Sequence, residues 1–179
     1  MRPPERIETE RLVIRMPDPS DAQSIFGGYA QDAEVTRYLI WRPHRDVHET
    51  ERFIAGCAAA WGQGARFPWV ITLRGGGELV GMVEVRVDGF KADVGYVIAR
   101  GFWGQGLATE ALRPVVGWAM AQPSIYRVWA LCDVANVASA RVLERVGMRA
   151  EGMLRRNILH PNVSSEPRDS WCYAVVKGA

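Results

Sequence analysis

Length, composition and charge limit this chain to a few classes of protein. Its 179 residues are enough for one domain with a hydrophobic core. The hydrophobic content of 48% and the charged content of 23% are typical of a soluble globular protein. A net charge of +2 argues against a protein that binds nucleic acid by neutralising phosphates, so no nucleic-acid partner is expected.

The cysteines and the N-terminal residues favour a cytoplasmic protein. Cys57, Cys132 and Cys172 are widely separated, odd in number and form no C-x-x-C pair, which predicts neither a disulfide framework nor a zinc ribbon. Residues 1–15 are too charged for a signal peptide, and no apolar run approaches the length of a membrane span. We therefore expect reduced cysteines and no membrane partner.

Hydrophobic periodicity and turn residues predict strands and helices that alternate along the chain. Strands are predicted at 9–15, 67–74, 78–87, 94–99, 126–132, 149–159 and 171–176. Helices are predicted from an N-cap at Asp18 or Ser20 to about Tyr29, and at 33–39, 47–61, 107–120 and 136–146. This order predicts one α/β domain, residues 1–179, with a mixed sheet.

A glycine-rich turn lies between the strand at 94–99 and the helix that begins near Leu107. Gly101, Gly104 and Gly106 leave its backbone almost without side-chain cover. Such a turn can direct several N–H groups at one anion, with the positive end of the helix dipole behind it. The pattern predicts a phosphate or pyrophosphate site at residues 104–109. The alternative is a tight connection in which glycine only relieves backbone strain.

Two other glycine-loop chemistries fit less well. A P-loop requires a lysine directly after its last glycine, and none follows here. The dinucleotide pattern G-x-G-x-x-G would place its third glycine at Thr109, and no acidic residue lies between Ala111 and Cys132 to bind a ribose. A dinucleotide oxidoreductase is therefore the weakest alternative.

A third motif fits better. Residues 103–108, WGQGLA, resemble motif A of the GCN5-related N-acetyltransferases (GNAT), Gln/Arg-x-x-Gly-x-Gly/Ala. Gly106 and Ala108 match, whereas Trp103 stands where the family has Gln or Arg. Residues 136–148, NVASARVLERVGM, resemble the family's motif B. The segment WGQGLATEAL is similar to the ribosomal-protein-alanine N-acetyltransferase branch, as are the blocks at 9–15, 37–44, 95–99, 151–156 and 167–175.

The resemblance implies both a fold and a co-substrate. It implies a single α/β (α+β) domain with a mixed, mostly antiparallel sheet, in which the strands at 94–99 and 126–132 splay apart. Acetyl-CoA would place its pantetheine in that gap and its pyrophosphate on the glycine loop. The residues implied in cofactor binding are Val97, Ile98, Ala99, Gly104, Gln105, Gly106, Leu107, Ala108, Thr109, Asn136 and Ser139.

Acetyl transfer from a thioester to an amine needs a neutral amine, a donor for the oxyanion and a proton for the thiolate. The strand backbone at Ile98 and Ala99 can supply the donor. Ser139 lies one helical turn after Asn136, and the resemblance implies that it protonates the thiolate. The alternatives are that Asn136 is only a helix N-cap and that Ser139 is only capping or solvated.

The general base is predicted less directly. Arg100 stands where one close relative of this branch has a Glu base. Glu84, on an earlier strand, is the predicted base, since a Glu on that strand often works through water in this superfamily. The alternative is an exposed Glu on the polar face of the strand. Tyr96 is predicted to be a core residue, and Glu110 to be a structural residue in the first helical turn.

The acceptor pocket is predicted from aromatic and polar residues outside the motifs. Trp41 and His44 lie in a loop suited to amine recognition, although Trp41 can equally be a core residue. Tyr173, in the last strand, could bring its hydroxyl to the acceptor. His44 and His48 have the spacing of a metal pair, but Pro43 disfavours a helix through both, so no metal is expected.

The predicted function is transfer of acetyl from acetyl-CoA to a primary amine by direct attack in a ternary complex. The resemblance implies a protein N-terminal amine of the ribosomal-protein-alanine type. A small-molecule acceptor, such as an antibiotic, a polyamine or an amino-acid derivative, is the first alternative. A non-catalytic CoA-binding domain is the second. A monomer or a homodimer is expected.

Overall fold

A computed structural model describes residues 1–178 as one eight-stranded sheet flanked by helices. The strands are β1 (Arg6–Glu8), β2 (Leu12–Arg15), β3 (Arg66–Leu73), β4 (Leu79–Asp88), β5 (Lys91–Ile98), β6 (Arg127–Asp133), β7 (Arg149–Ile158) and β8 (Arg168–Val176). The α-helices are α1 (Ala22–Ile25), α2 (Ala33–Thr36), α3 (Val47–Gln63), α4 (Leu107–Ala121) and α5 (Val137–Val146). None of these helices is both long enough and apolar enough to span a membrane.

The sheet is mixed and opens at its centre. In space the strands run β1-β2-β3-β4-β5-β6-β8-β7, and within the described chain only β5 and β6 are parallel. Their pairing begins at Lys91 and Arg127 and ends at Asp93 and Trp129. The rest of β5, up to Ile98, has no β6 partner within residues 1–178. The mostly antiparallel sheet and the splay are therefore confirmed.

Strand β3 shows how the core is divided between the two faces of the sheet. Its successive side chains point to opposite faces. Trp69 and Ile71 belong to a buried cluster with Leu112 of α4, whereas Val70 belongs to a second cluster with Ile54 of α3. All five side chains are at most 3% exposed, and burying each contributes about 1.5–3 kcal/mol. Helix α4 is thus fixed on one face, and α1 and α3 on the other.

A bulge in β4 lies beside the splay. Ile71 of β3 pairs with Gly81, but the next β3 residue pairs with Leu79, which leaves Val80 as an extra residue. A Cβ atom on Gly81 would lie 2.0 Å from the Val97 carbonyl oxygen. Only glycine therefore allows β5 to approach β4 this closely.

The N-terminal elements differ most from the predicted ones. Of the predicted strand 9–15, only Leu12–Arg15 (β2) is a strand, and β1 lies before the predicted range. Residues 9–11 form the turn between them, in which the Thr9 hydroxyl accepts a hydrogen bond from the Leu12 N–H (3.1 Å). The single helix predicted to about Tyr29 is a 3-10 turn (Pro19–Asp21), α1, and a π-helical turn (Phe26–Ala30). Asp18 is the N-cap, as expected. Two adjacent glycines inside the π-helical turn weaken α-helix formation there.

The remaining elements lie close to their predicted positions. Helix α2 ends at Thr36 rather than at residue 39. Helix α3 continues to Gln63, two residues past its predicted end, and Gly64, with a φ of 77°, is its C-cap. Gly147 ends α5 in the left-handed conformation, as predicted. Strand β8 begins at Arg168, three residues before its predicted start. Residue 179, the last of the predicted domain, lies outside the described residues.

Candidate active site

The glycine loop holds its backbone donors open to solvent. After the 3-10 turn Arg100–Phe102, Gly104 and Gly106 have φ angles of 76° and 77°, a region that favours glycine. No side chain caps the N-terminus of α4. None of the N–H groups of residues 104–109 donates to an acceptor within residues 1–178. These groups and the helix dipole behind them fit a pyrophosphate.

A hydrogen-bond network ties this loop to the N-terminal strands. The Glu110 carboxylate accepts hydrogen bonds from Thr9 Oγ1 (2.6 Å), the Arg11 N–H (2.9 Å) and Arg11 Nε (2.7 Å). Arg11 Nη1 also donates to the Gln105 carbonyl (3.0 Å). Burial alone would raise the pKa of Glu110, but the hydrogen bonds from Thr9 and Arg11 lower it below its ordinary value. Glu110 therefore has a structural position, and its partner Thr9 lies 101 residues away.

Trp103, the residue that departs from motif A, forms a hydrogen bond with the last residue of β5. Trp103 Nε1 donates a hydrogen bond to the Ile98 carbonyl (2.7 Å). The Ala99 N–H donates to the Val80 carbonyl (2.8 Å). Ala99 is thus already paired and does not supply the predicted oxyanion donor. Ile98 remains the candidate for that role.

The splay opens into a cavity of about 710 Å³. Residues 93–97 of β5 and 129–133 of β6 line it on the two sides of the gap. It is also lined by aromatic and apolar side chains from the N-terminal half, including Ile25, Tyr29, Tyr38, Leu39, Ile40 and Phe53. A cavity bounded both by the sheet gap and by these side chains can hold two substrates together.

Six of the predicted site residues line this cavity: Trp41, His44, Glu84, Val97, Asn136 and Ser139. Tyr173 does not line it. Its side chain is buried in the core, and its hydroxyl donates to Glu144 Oε1 (3.4 Å). The structure thus brings the predicted catalytic pair together with two of the three predicted acceptor residues.

Ser139 is held by its neighbours in an orientation suited to proton donation. Its backbone N–H donates to Asn136 Oδ1 (3.2 Å), so Asn136 does cap α5. Its hydroxyl oxygen lies 2.9 Å from the Tyr96 hydroxyl. Burial raises the pKa of Tyr96, so the phenol stays protonated and can donate to Ser139 Oγ. The Ser139 proton is then available to the cavity. The sequence analysis predicted that Tyr96 is a core residue. Its position on the strand that contacts motif B could have indicated a role beside Ser139.

Glu84 lies in a row of alternating charges on the cavity wall. Its carboxylate accepts from Arg66 Nε (2.6 Å) and from Arg86 Nη1 (3.0 Å), and Arg86 also pairs with Asp93. The Glu84 side chain is only 17% exposed. The alternative prediction, an exposed Glu on the polar face of the strand, is therefore wrong. Both of its oxygens already bind guanidinium groups, which does not favour it as a proton acceptor.

His160 is a cavity residue that the sequence analysis did not identify. It lies just after β7, is 2% exposed, and packs edge-on against Tyr38 with ring centroids 6.1 Å apart. Neither ring nitrogen has a partner of good hydrogen-bond geometry within the described residues, although the Leu39 carbonyl lies close enough to raise the pKa of the ring. Its Nε2 lies 3.7 Å from Asp133 Oδ2. Burial lowers the pKa of His160 more than the Asp133 carboxylate raises it.

The other two histidines have separate surroundings. His44 Nδ1 lies 2.7 Å from Thr50 Oγ1, and its ring packs against Trp41. His48 is on the surface, where it bonds to Glu51. Cys132 lines the cavity, but burial raises the pKa of its thiol to about 11, so the thiol is protonated at neutral pH and is a poor nucleophile.

The sequence and the fold of this chain are similar to those of known acetyltransferases. The chain is 30% identical over 174 residues to the uncharacterized N-acetyltransferase YoaA of Bacillus subtilis, covering 96% of each chain. It is 27% identical over 168 residues to the [ribosomal protein uS5]-alanine N-acetyltransferase of Escherichia coli, covering 88% of this chain and 84% of the other. A solved structure of Mycobacterium smegmatis RimJ in complex with CoA-disulfide superposes with a TM-score of 0.81 at 25% identity, covering 93% of this chain and 82% of that one.

The family model described as "Acetyltransferase (GNAT) domain" matches residues 11–149. That span includes the glycine loop, the splayed strands and the helix that carries Ser139. It ends before the segment that carries His160. The chain therefore belongs to the GNAT acetyltransferases.

Proposed function

We propose that this acetyltransferase moves the acetyl group of acetyl-CoA to the N-terminal amine of a protein, of the ribosomal-protein-alanine type. The observation that carries the proposal is the single cavity that is lined both by the β5–β6 gap and by aromatic side chains of the N-terminal half. The named activity of the Escherichia coli relative supports a peptide acceptor. The RimJ structure, which contains CoA, supports the same co-substrate.

The described residues fit acetyl-CoA at two places. The six N–H groups of residues 104–109 provide donors for the pyrophosphate. The unpaired part of β5 and the Asn136 side chain line the gap for the pantetheine arm. Bound there, acetyl-CoA supplies an acyl group activated as a thioester.

The catalytic roles follow from the cavity wall. Ser139, oriented by Tyr96, donates a proton to the departing thiolate. The amine attacks directly, because the chemistry needs no covalent enzyme intermediate and the Cys132 thiol is protonated at neutral pH. Glu84, the base predicted from the sequence, lines the same cavity, but two arginines engage its oxygens, so it is not assigned that role.

A small-molecule amine is the second candidate acceptor. The row of charges formed by Arg66, Glu84, Arg86 and Asp93 lines the same cavity, and it favours an acceptor that carries its own carboxylate or phosphate. An amino-acid derivative would meet that description as well as a peptide would.

A panel of acceptors separates the two candidates. Peptides beginning with Ala, Ser or Met are compared with spermidine, an aminoglycoside and an amino-acid derivative that keeps its carboxylate. CoA release is followed with a thiol reagent, and the acetylated atom is identified by mass spectrometry. We expect kcat/KM to be at least about tenfold higher for the Ala peptide, a difference of about 1.4 kcal/mol. Inert peptides with active small amines would reject the N-terminal assignment. Stabilisation by acetyl-CoA without turnover of any amine would instead indicate a binding domain.

A further inference from the structure

The cavity wall contains polar groups that the protein itself leaves unsatisfied. Within residues 1–178, the buried side-chain atoms without a hydrogen-bond partner belong to Tyr29, Thr109 and His160. Tyr29 and His160 both line the cavity, and each is 2% exposed. Buried polar groups are normally paired, so two unpaired groups facing one cavity indicate that their partner arrives with a ligand.

Two contacts to the ring, and hydrogen bonds that anchor the segment carrying it, hold His160 in place. Tyr38 packs against it edge-on. Asp133, at the end of β6, lies 3.7 Å from Nε2. Two residues further along, Asn162 Nδ2 donates to the carbonyls of Thr36 (2.8 Å) and Trp41 (2.7 Å), which ties the segment after β7 to the aromatic wall of the cavity.

We propose that His160 is the general base that takes the proton from the acceptor amine. The proposal rests on the proposed acetyl transfer and adds a catalytic residue to it. The ring lines the same cavity as Ser139. The Leu39 carbonyl can engage the protonated ring nitrogen, which leaves the other nitrogen to accept a proton from an amine bound there.

The charges around the ring suit this role. Asp133 faces it from β6, Arg168 pairs with Asp133 from β8 (2.5 Å and 3.0 Å), and Tyr38 faces it from the segment after α2. Burial keeps the pKa of His160 below its ordinary value, so the ring is neutral at pH 7 and can accept a proton. The Asp133 carboxylate then stabilises the imidazolium that forms.

The proton balance of the step closes within the cavity. As the amine nitrogen bonds to the thioester carbon, its proton passes to His160. The C–S bond breaks, its electron pair stays on sulfur, and Ser139 donates a proton there. Water then returns the proton from His160 to Ser139. The net result is an amide and a thiol, with the enzyme unchanged.

Tyr29 offers a matched control. Its hydroxyl is equally buried and unpartnered in the same cavity. Burial raises the pKa of Tyr29, so it stays protonated and cannot act as a base at neutral pH. Tyr29→Phe therefore removes a hydrogen bond to the acceptor without removing a proton acceptor.

The first test uses the best acceptor of the panel. We expect His160→Asn to lower kcat/KM by about 10²–10³-fold and to abolish the acidic limb of its pH profile, as loss of a general base does. Thermal stabilisation by acetyl-CoA should persist in this variant, which shows that it is folded. Tyr29→Phe should raise KM but keep the acidic limb, and His48→Gln, on the surface, should match the wild type. A His160→Asn enzyme with wild-type kcat/KM and an intact acidic limb overturns the proposal.

The second test does not depend on turnover. The chain has three histidines, so ¹⁵N-histidine labelling gives three ring systems, assigned from His48→Gln and His160→Asn. The CoA-saturated wild type is titrated with each amine of the panel. We expect the His160 ring nitrogens to shift with an amine that binds, and a His160 signal that responds to none of them overturns its role. Wild-type enzyme that releases no CoA with any amine refutes the proposed transfer separately.

Discussion

The left-handed glycines of the loop give the sharpest test of the pyrophosphate site. Gly104 and Gly106 have φ angles of 76° and 77°, whereas Gly101, in the preceding 3-10 turn, does not have a positive φ. A Cβ atom at Gly104 would meet nothing within 4 Å, and one at Gly106 would meet only Arg11 Nη2 at 3.7 Å. Alanine at either position therefore fits the space and is penalised only through the backbone.

That penalty sets the expected magnitude. An L-residue in the left-handed region costs about 1–2 kcal/mol. Because the loop is exposed and its N–H groups are unpaired, a variant loop relaxes in the unbound protein and must regain the strained conformation to bind. We expect Gly104→Ala and Gly106→Ala each to raise the Kd for CoA by about 5- to 30-fold, since 1.4 kcal/mol is a factor of ten.

Isothermal titration of CoA measures the effect, with Gly101→Ala as the control. Gly101 has the same open surroundings without the left-handed backbone, so its alanine variant should bind as the wild type does. Wild-type affinity in both loop variants would refute the reasoning. Equal weakening in all three variants would also refute it, because the effect would then not depend on the left-handed conformation.

The structure supports three further predictions. Gly81→Ala forces a Cβ atom to within 2.0 Å of the β5 backbone, so we expect a loss of about 1–3 kcal/mol in the free energy of unfolding, measured by urea denaturation. Ser139→Ala should lower kcat by about 10²-fold with CoA affinity unchanged, and Tyr96→Phe should lower it less, in steady-state assays; unchanged kcat in both would contradict the assigned proton donor. Burial alone would raise the pKa of Asp133, but hydrogen bonds led by Arg168 lower it. Its stabilising contribution is therefore present above the unfolded pKa of about 4 and is lost as pH falls through the folded value, and acid unfolding curves of Asp133→Asn should lack that component.

The co-substrate side of the cavity could be predicted because its signals are local. Gly104 and Gly106 lie two positions apart, directly before an apolar helix, and glycine is the residue that most readily adopts the left-handed conformation found at both. Asn136 and Ser139 lie on one helical turn of motif B. The splay is different, since nothing in the residues of β5 and β6 alone shows where their pairing stops. It came from the resemblance to a known family.

The acceptor side could be predicted only in part because its contacts join distant segments. His160 reaches Asp133 across 27 positions, and Asn162 reaches Trp41 across 121. A histidine in a turn after a strand carries no local sign that its ring will be buried. Tyr173 shows the converse error: an aromatic in the last strand was a reasonable pocket residue, but the sheet register places it in the core.

This difference has a consequence for how the enzyme selects its substrates. The groups that fit coenzyme A come from one continuous run, from β5 through α5. The groups that face the acceptor come from α1, from the segment between α2 and α3, from β4 and from the segment after β7. The second set can change residue by residue without disturbing the first, because the two sets share only the gap between β5 and β6. If the proposed role of His160 holds, the residues that select the acceptor are therefore those that the fold leaves unpaired in the cavity, foremost His160 and Tyr29.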